Sequence, residues 1–119
     1  MDEGRALFLQ IAEQVEDSIV DGSLAEETQA PSTNELAAFY RINPATAAKG
    51  VNMLVEAGIL YKRRGIGMFV AAGARDKLLT QRRELFVQAH VDPMLVEARR
   101  LGIEVDLLVE LIRQAHTRE

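Results

Sequence analysis

The 119-residue sequence contains no cysteine, and this absence removes several classes of protein. It excludes a disulfide framework, an iron–sulfur cluster, a cysteine-based zinc site and a cysteine nucleophile. The sequence also lacks an apolar run long enough to span a membrane. It opens with Asp2 and Glu3 rather than with a basic stretch before an apolar one, so we expect no secretory signal and a soluble cytoplasmic protein.

The formal net charge of −4 conceals an uneven distribution of charge along the chain. Residues 1–40 carry nine acidic and one basic side chain, residues 41–74 carry one acidic and five basic, and residues 75–119 carry eight of each. The basic middle segment is typical of an electrostatic footprint for nucleic acid, even in an acidic chain. Charge by itself leaves open the alternative that these five cations form only a solvated surface.

Three short helices are predicted in the first half of the chain. Apolar residues at helical spacing indicate the first helix: Phe8, Ile11, Val15 and Ile19. A second begins after Pro31, where Ser32 and Glu35 have the spacing of a capping box. A third begins at Asn43-Pro44, since asparagine is a good N-cap and proline is favoured in the first turn. The short connection between the second and third helices is typical of a helix-turn-helix.

A β-hairpin is predicted after the third helix. The β-prone runs Ile59–Lys62 and Met68–Ala71 flank a basic turn that contains two glycines. Three helices followed by a hairpin form a winged helix-turn-helix, whose third helix can enter the major groove of DNA. We expect Thr46 and the free N–H groups of that helix's first turn to bind phosphate, and Lys49 to reach a base edge or a phosphate. Gly65 and Gly67 would let the wing approach the sugar–phosphate backbone or enter a minor groove.

The rest of the chain is predicted to be an α-helical tail. It is helical from Ala74 to about Val91, is interrupted at Asp92-Pro93, and ends in a helix from about Glu104 to His116. A segment this short cannot close its own core, so its apolar faces need the first part, a second copy, or both. We predict a homodimer through residues 75–117, with these interface side chains: Leu78, Leu85, Phe86, Ala89, Leu95, Leu101, Leu108 and Leu111.

No other group of residues predicts chemistry. His90 and His116 are the only histidines, and no ligand spacing joins them to Asp92 or Glu97 in a metal site. The pair of wing glycines is not a phosphate-binding loop, and no serine has a histidine or an acid in a catalytic pattern. We therefore expect no enzymatic activity, no metal and no cofactor.

Five segments match one family pattern in order: Phe8 with Gln10-Ile11, Ile19 and Gly22; Ala30–Ala37; Ile42–Thr46; Glu56–Ile59; and Gly65–Val70. Together they resemble the N-terminal domain of GntR-type bacterial transcription regulators. The Asn-Pro-x-Thr segment and the short tail are similar to the YtrA-like subfamily.

The resemblance implies a homodimeric repressor that binds a palindromic operator through the winged domain, often at transporter genes. It also implies that the tail is a dimerisation unit. Three positions depart from the family pattern. Asn34 stands where the family has an arginine that usually contacts DNA, Ala30 replaces a leucine, and Met68 replaces a threonine. The first departure concerns operator affinity or sequence preference, and the other two concern packing.

The sequence thus predicts a mainly α fold with a small β-hairpin, divided into a winged helix-turn-helix domain at residues 1–72 and a dimerisation region at residues 73–119. The predicted DNA contacts are Ser32, Thr33, Asn34, Ala45, Thr46, Lys49, Arg63, Arg64 and Gly67. The sequence leaves open whether a small-molecule effector binds. Its pocket would lie among tail residues such as Met94, although packing in a dimer explains these residues better. The alternative function is a winged-helix adaptor for other proteins, which the acidic first forty residues would suit.

Overall fold

The computed structural model describes residues 5–119, so the expectation drawn from Asp2 and Glu3 lies outside the described residues. These residues form α1 (Leu7–Val20), α2 (Thr33–Tyr40), α3 (Pro44–Glu56), β1 (Leu60–Arg63), β2 (Gly67–Val70), α4 (Ala74–Phe86), a π-helical turn (Val87–Val91), α5 (Asp92–Arg100) and α6 (Val105–Thr117). The two strands form an antiparallel hairpin. The predicted mainly α fold with a small hairpin is confirmed.

The chain divides into two compact units, the first ending at Thr80 and the second running from Gln81 to Glu119. The first unit has a single hydrophobic core to which every one of its elements contributes. Its most deeply buried large side chains are Ile11, Ile19, Val51, Ile59, Val70 and Leu78. The apolar stripe predicted for α1 therefore faces this core, as helical periodicity requires.

The first turns of α4 belong to the first unit, which therefore extends beyond the predicted boundary at residue 72. Ala74 and Leu78 are each 1% exposed and complete the core there. A side chain this deeply buried in its own unit is not available to a second chain. The predicted place of Leu78 in a dimer interface is therefore wrong.

A glycine allows α1 and α3 to pack closely. A Cβ atom at Gly50 would lie 2.6 Å from the backbone oxygen of Phe8 and 3.2 Å from the Cβ of Ile11. Real Cβ atoms do not approach a backbone oxygen so closely, so a larger residue would force the helices apart. Gly50 thus sets the position of α3 against the rest of the unit.

The predicted helix starts are present. The Ser32 hydroxyl accepts the N–H of Glu35, while the Glu35 carboxylate accepts the N–H of Ser32, which completes the capping box. The N–H of Ser32 also holds the pKa of the Glu35 carboxyl below its usual value. At α3, the Asn43 side chain accepts the N–H of Ala45 at 2.7 Å. Residues 41–43 connect the two helices as the short turn of a helix-turn-helix.

A third segment pairs with the hairpin, which the sequence did not indicate. Within the hairpin itself, β1 and β2 pair Leu60 with Val70 and Arg63 with Gly67. On the other side of β2, the N–H of Val70 donates to the oxygen of Thr28 at 3.0 Å, and the N–H of Ala30 donates to the oxygen of Met68 at 2.8 Å. Residues 28–30 therefore form a short extended segment that pairs with β2.

The second unit consists of short helices with little interior. Before α5, the N–H of Asp92 donates to the oxygen of Val87, five residues earlier, which is a π-helical bond. Pro93 lies in the first turn of α5, at the predicted interruption, and has no N–H for a regular helical bond. Among residues 81–119 only Ala98 is buried. Within residues 5–119, no helix combines the length and apolarity that a membrane crossing requires.

Candidate nucleic-acid interface

The outer face of α3 is open to solvent and formed mostly by small or polar side chains. The inner stripe of Ala47, Gly50, Val51 and Leu54 is buried in the core, which turns the opposite side of the helix outward. That side carries a shallow groove lined by Ala45, Ala48, Lys49, Asn52, Met53 and Glu56. Short side chains at its beginning let a helix approach base edges closely, as major-groove recognition requires.

The backbone donors of the first turn of α3 are already used within the chain. The N–H of Ala45 donates to the Asn43 side chain, and the N–H groups of Thr46 and Ala47 donate to the Asn43 carbonyl. The prediction that free N–H groups there bind phosphate is therefore wrong. A phosphate contact at this end depends instead on the Thr46 side chain and on the positive end of the helix dipole.

Lys49 points towards α1 rather than straight out of α3. Its Nζ lies 4.0 Å from the centre of the Phe8 ring, which is a cation–π contact. The side chain is nevertheless exposed, so its charge stays accessible at the rim of the α3 groove. Phe8 restricts where that charge is held, which the sequence did not predict.

The start of α2 presents the next predicted contacts. Ser32 and Asn34 are exposed, and Thr33 is half-buried. The Ser32 side chain is already engaged with Glu35, because its oxygen accepts the Glu35 N–H and its hydroxyl helps to lower the pKa of the Glu35 carboxyl, so a phosphate contact at Ser32 stays a prediction. Asn34 can donate and accept hydrogen bonds there, but it brings no charge.

The wing carries three consecutive exposed cations, Lys62, Arg63 and Arg64. The Arg63 guanidinium lies 4.6 Å from the centre of the Phe69 ring on the paired strand, which fixes its direction. Arg64 follows in the turn itself. At the base of the wing, the Tyr61 hydroxyl donates to the Glu27 carboxylate at 2.8 Å, and this bond raises the pKa of the tyrosine.

The turn of the wing is braced by a residue that sequence reasoning missed. The Gln29 Nε2 atom donates to the oxygen of Ile66 at 3.0 Å. A Cβ atom at Gly67, where φ is +144°, would lie 2.6 Å from that same nitrogen. The positive φ favours glycine at position 67, whereas the close approach alone does not require it, because the Gln29 amide is the end of a flexible side chain that can shift. The DNA contact predicted for Gly67 stays a prediction, because the conformation of the turn already accounts for a glycine at this position.

The second unit adds no further chemical site. Among residues 5–119, no three histidine or acidic side chains are grouped to hold a metal ion. The remaining predicted interface residues differ in exposure in the single chain. Leu95 and Leu108 are half-buried, whereas the following are exposed: Leu85, Phe86, Ala89, Leu101 and Leu111.

The family described as bacterial regulatory proteins, gntR family, matches residues 7–70, which is 64 of the 119 residues and spans α1 to β2. The chain belongs to the gntR family. The GntR resemblance seen in the motifs is therefore confirmed, and with it the function class of a DNA-binding transcription regulator.

Relatives of the gntR family match both units of the chain. The HTH-type transcriptional repressor YtrA of Bacillus subtilis is 25% identical over 108 residues, which cover 91% of this chain and 82% of the relative. This match supports the YtrA-like assignment. A GntR-family transcriptional regulator from Bacteroides thetaiotaomicron has a solved structure that is 31% identical, with a TM-score of 0.79, over 95% of this chain and 98% of that one.

A third comparison concerns the winged unit. The DNA-binding domain of AraR, solved in complex with an operator, is 31% identical and has a TM-score of 0.52. The match covers 54% of this chain and 77% of that domain. The solved relatives thus include a winged unit of similar fold seated on DNA.

Proposed function

We propose that the chain is a homodimeric repressor that acts in the cytoplasm and binds a two-fold symmetric operator through its first unit, with transporter genes among its targets. The observation that carries the DNA contact is the basic wing next to the small, polar outer face of α3. Three exposed cations lie there in a chain of net charge −4, where a generic surface would not concentrate them.

The proposed contacts divide into two roles. Lys62, Arg63 and Arg64 neutralise phosphates, which supplies affinity without sequence information. Ala45, Thr46 and Lys49 meet the major groove, where base edges differ. Asn34, together with Ser32 and Thr33, contacts the flanking backbone without the charge that the family's arginine supplies. The operators bound by AraR and the repressor name of YtrA support this assignment.

The proposed dimer uses the second unit. Ten large apolar side chains are exposed there: Leu85, Phe86, Val87, Val96, Leu101, Val105, Leu107, Val109, Leu111 and Ile112. An unpartnered apolar surface of this kind marks an interaction site. A second copy brings the same surface, and a two-fold dimer would present two winged units to a palindromic operator.

Loss of the wing cations tests the DNA contact. Replacing Arg63 and Arg64 by alanine should weaken binding to all duplexes alike and reduce the slope of log affinity against log salt by up to about two. The matched control replaces Arg99 and Arg100 on α5, which changes the charge equally in the second unit. Affinity is measured by fluorescence anisotropy at several salt concentrations. Equal slopes for both double variants would contradict the role of the wing, and salt-independent protein capture would favour the adaptor function.

A charge placed on the proposed dimer face tests the assembly. Leu111→Glu puts a carboxylate into the apolar surface of α6, where dimer formation would have to desolvate it. Sedimentation should show a dimer for the parent chain and a monomer for the variant. Gln114→Glu adds the same charge at a polar position of α6 and should leave the dimer intact. A monomeric parent chain would contradict the proposed assembly.

A further inference from the structure

The turn at the tip of the wing carries an apolar side chain, Ile66, which lies in sequence between the cations of the wing and β2. Ile66 is 61% exposed, and it follows Arg64 and Gly65 in the turn. It is the exposed large hydrophobic side chain of the hairpin, whereas Phe69 and Val70 are buried. A single exposed apolar side chain is common on protein surfaces, so exposure by itself assigns Ile66 no role. Its position does, because it lies in the turn directly after the cations proposed to contact DNA.

The backbone on both sides of Ile66 is tied down. Its N–H donates to the oxygen of Arg63 at 3.0 Å, which closes the turn, and its own oxygen accepts the Gln29 side chain at 3.0 Å. Gln29 is itself held, because the next residue, Ala30, donates to Met68 in β2 at 2.8 Å. The isoleucine is thus presented from a fixed turn rather than from a loose loop, and binding need not first order it.

The minor groove offers a surface that such a side chain can distinguish. A·T and T·A pairs leave its floor without a donor, while guanine adds an amino group that projects from the floor. Apolar side chains of minor-groove proteins press against the floor or between base steps. Isoleucine cannot accept a hydrogen bond, so covering the guanine amino group would leave that donor without a partner.

We propose that Ile66 is a specificity-determining residue that reads the floor of the minor groove and disfavours guanine beneath the wing, and that Gln29 is the positioning residue that holds it there. The inference rests on the proposed DNA contact of the wing and deepens it. Arg63 and Arg64 attract the phosphates on either side of the groove. Ile66 selects by shape and by the loss of a hydrogen bond.

The two contributions have different signatures in solution. Removing a cation changes the number of counterions released and therefore the salt slope. Removing the isoleucine side chain releases no ion, so Ile66→Ala should lower affinity for amino-free duplexes while leaving the salt slope unchanged. This separation allows the apolar contact to be measured without knowledge of the operator.

The test compares two duplexes that differ only in the guanine amino group. One is an alternating dG and dC duplex, and the other has dI in place of dG, which preserves the major-groove pattern. The full-length chain should bind the dI duplex about fivefold more tightly, a difference expected for one apolar contact and one donor left without a partner. Ile66→Ala should bring this ratio close to one, and Ile66→Val should retain most of it.

Two further variants distinguish positioning from general damage. Gln29→Ala should lower the dI to dG ratio while keeping the salt slope and the thermal unfolding temperature of the parent. Phe39→Ala removes another exposed apolar side chain, 78% exposed at the end of α2, and should leave the ratio unchanged. If Gln29→Ala keeps the full ratio, Gln29 does not position the wing tip.

The outcomes separate this inference from the proposed function. Salt-dependent binding to both duplexes with equal affinity, or an unchanged ratio in Ile66→Ala, would overturn the reading of the minor groove while leaving the DNA contact in place. No salt-dependent binding to either duplex would overturn the proposed function itself. Since Ile66 is exposed, its replacement should leave thermal unfolding unchanged, which confirms that the ratio is measured on folded protein.

Discussion

The two units of the chain treat their apolar side chains in opposite ways. Of the seventeen buried hydrophobic residues in the described chain, sixteen lie in the first unit and one, Ala98, in the second. Of the fourteen large hydrophobic residues exposed there, four lie in the first unit and ten in the second. The second unit is also the shorter one, and a segment of its length cannot close a core of its own.

This contrast shows where each unit obtains its stability. The first unit buries residues from four helices and a hairpin in one core, which is the main favourable term in folding. The second unit consists of helices of about three turns, and isolated helices of this length are marginal in water. The stability of the helices in the second unit therefore depends on whatever covers their apolar faces. The first unit needs no such cover, because it has a core of its own.

The largest expected effect comes from two leucines on the same helix. Leu78 is 1% exposed in the core of the first unit, whereas Leu85 on α4 is 62% exposed. Leu78→Ala should lower the free energy of unfolding of the first unit by about 2–5 kcal/mol, because it leaves a cavity. Leu85→Ala should leave that free energy nearly unchanged and should weaken only the proposed dimer.

The measurement can observe the first unit selectively. Both tyrosines of the chain, Tyr40 and Tyr61, lie in it, and the sequence contains no tryptophan. Tyrosine fluorescence during urea unfolding therefore follows the first unit, while sedimentation follows the assembly. Equal losses of stability in the two variants would mean that the units are not independent in the way their burial indicates.

The sequence predicted the helices well where the signals are local. The capping box of Ser32 and Glu35 and the Asn43-Pro44 start depend on residues within one turn of each other, so the pattern alone contains the information. Periodicity shows which face of a helix is apolar, but it does not show what covers that face. Leu78 and Leu85 therefore received the same prediction although their surroundings differ.

The sequence predicted which positions form the candidate site, but it did not predict how their side chains are arranged in space. Three cations and two glycines in one turn indicated the wing directly. The brace between Gln29 and Ile66 joins residues 37 positions apart, and the contact of Lys49 with Phe8 joins two different helices. Such contacts arise only when the chain folds, because no short-range pattern specifies a partner so distant in sequence.

A second variant tests the close packing on which the first unit depends. An alanine in place of a helical glycine usually stabilises a helix, by up to about 1 kcal/mol. Gly50→Ala should instead destabilise the first unit by about 1–3 kcal/mol, because its Cβ would meet the Phe8 backbone and force α1 from α3. Asn52→Ala on the exposed side of α3 provides the control and should be neutral or slightly stabilising.

The same urea unfolding experiment measures this effect. If Gly50→Ala were more stable than the parent, the helix propensity of alanine would outweigh the packing, and the approach of α1 to α3 would be looser than 2.6 Å implies. DNA affinity at a temperature where both proteins are folded should fall as well, since α3 carries the proposed major-groove contacts.

The smallest expected effect tests how the first unit ends at α4. The Glu26 carboxylate accepts the N–H of Gly73 at 2.9 Å and that of Arg75 at 3.1 Å, and so caps the start of this helix. The Arg75 guanidinium donates to the oxygen of Val20, and the Lys77 ammonium donates to that of Ala57. These contacts, together with the buried Ala74 and Leu78, attach the first turns of α4 to the first unit.

The pH dependence of stability reports this cap. The N–H groups of Gly73 and Arg75 lower the pKa of Glu26 in the folded chain, so the folded state binds its proton less readily than the unfolded state. The stabilisation is therefore complete at neutral pH and is lost as the pH falls below the usual glutamate pKa, between about pH 5 and pH 3. Glu26→Gln should lower the melting temperature slightly at pH 7 and make it less dependent on pH across that interval.

The comparison with a second carboxylate isolates the cap from general charge effects. Glu84→Gln removes the same charge from α4 in the second unit, and the lowered pKa values of Asp21 and Glu35 are present in both variants. Thermal unfolding followed by tyrosine fluorescence should then show a flatter pH profile for Glu26→Gln than for Glu84→Gln. Parallel profiles would mean that the capping bonds do not persist in solution, and that burial of Ala74 and Leu78 alone attaches α4 to the first unit.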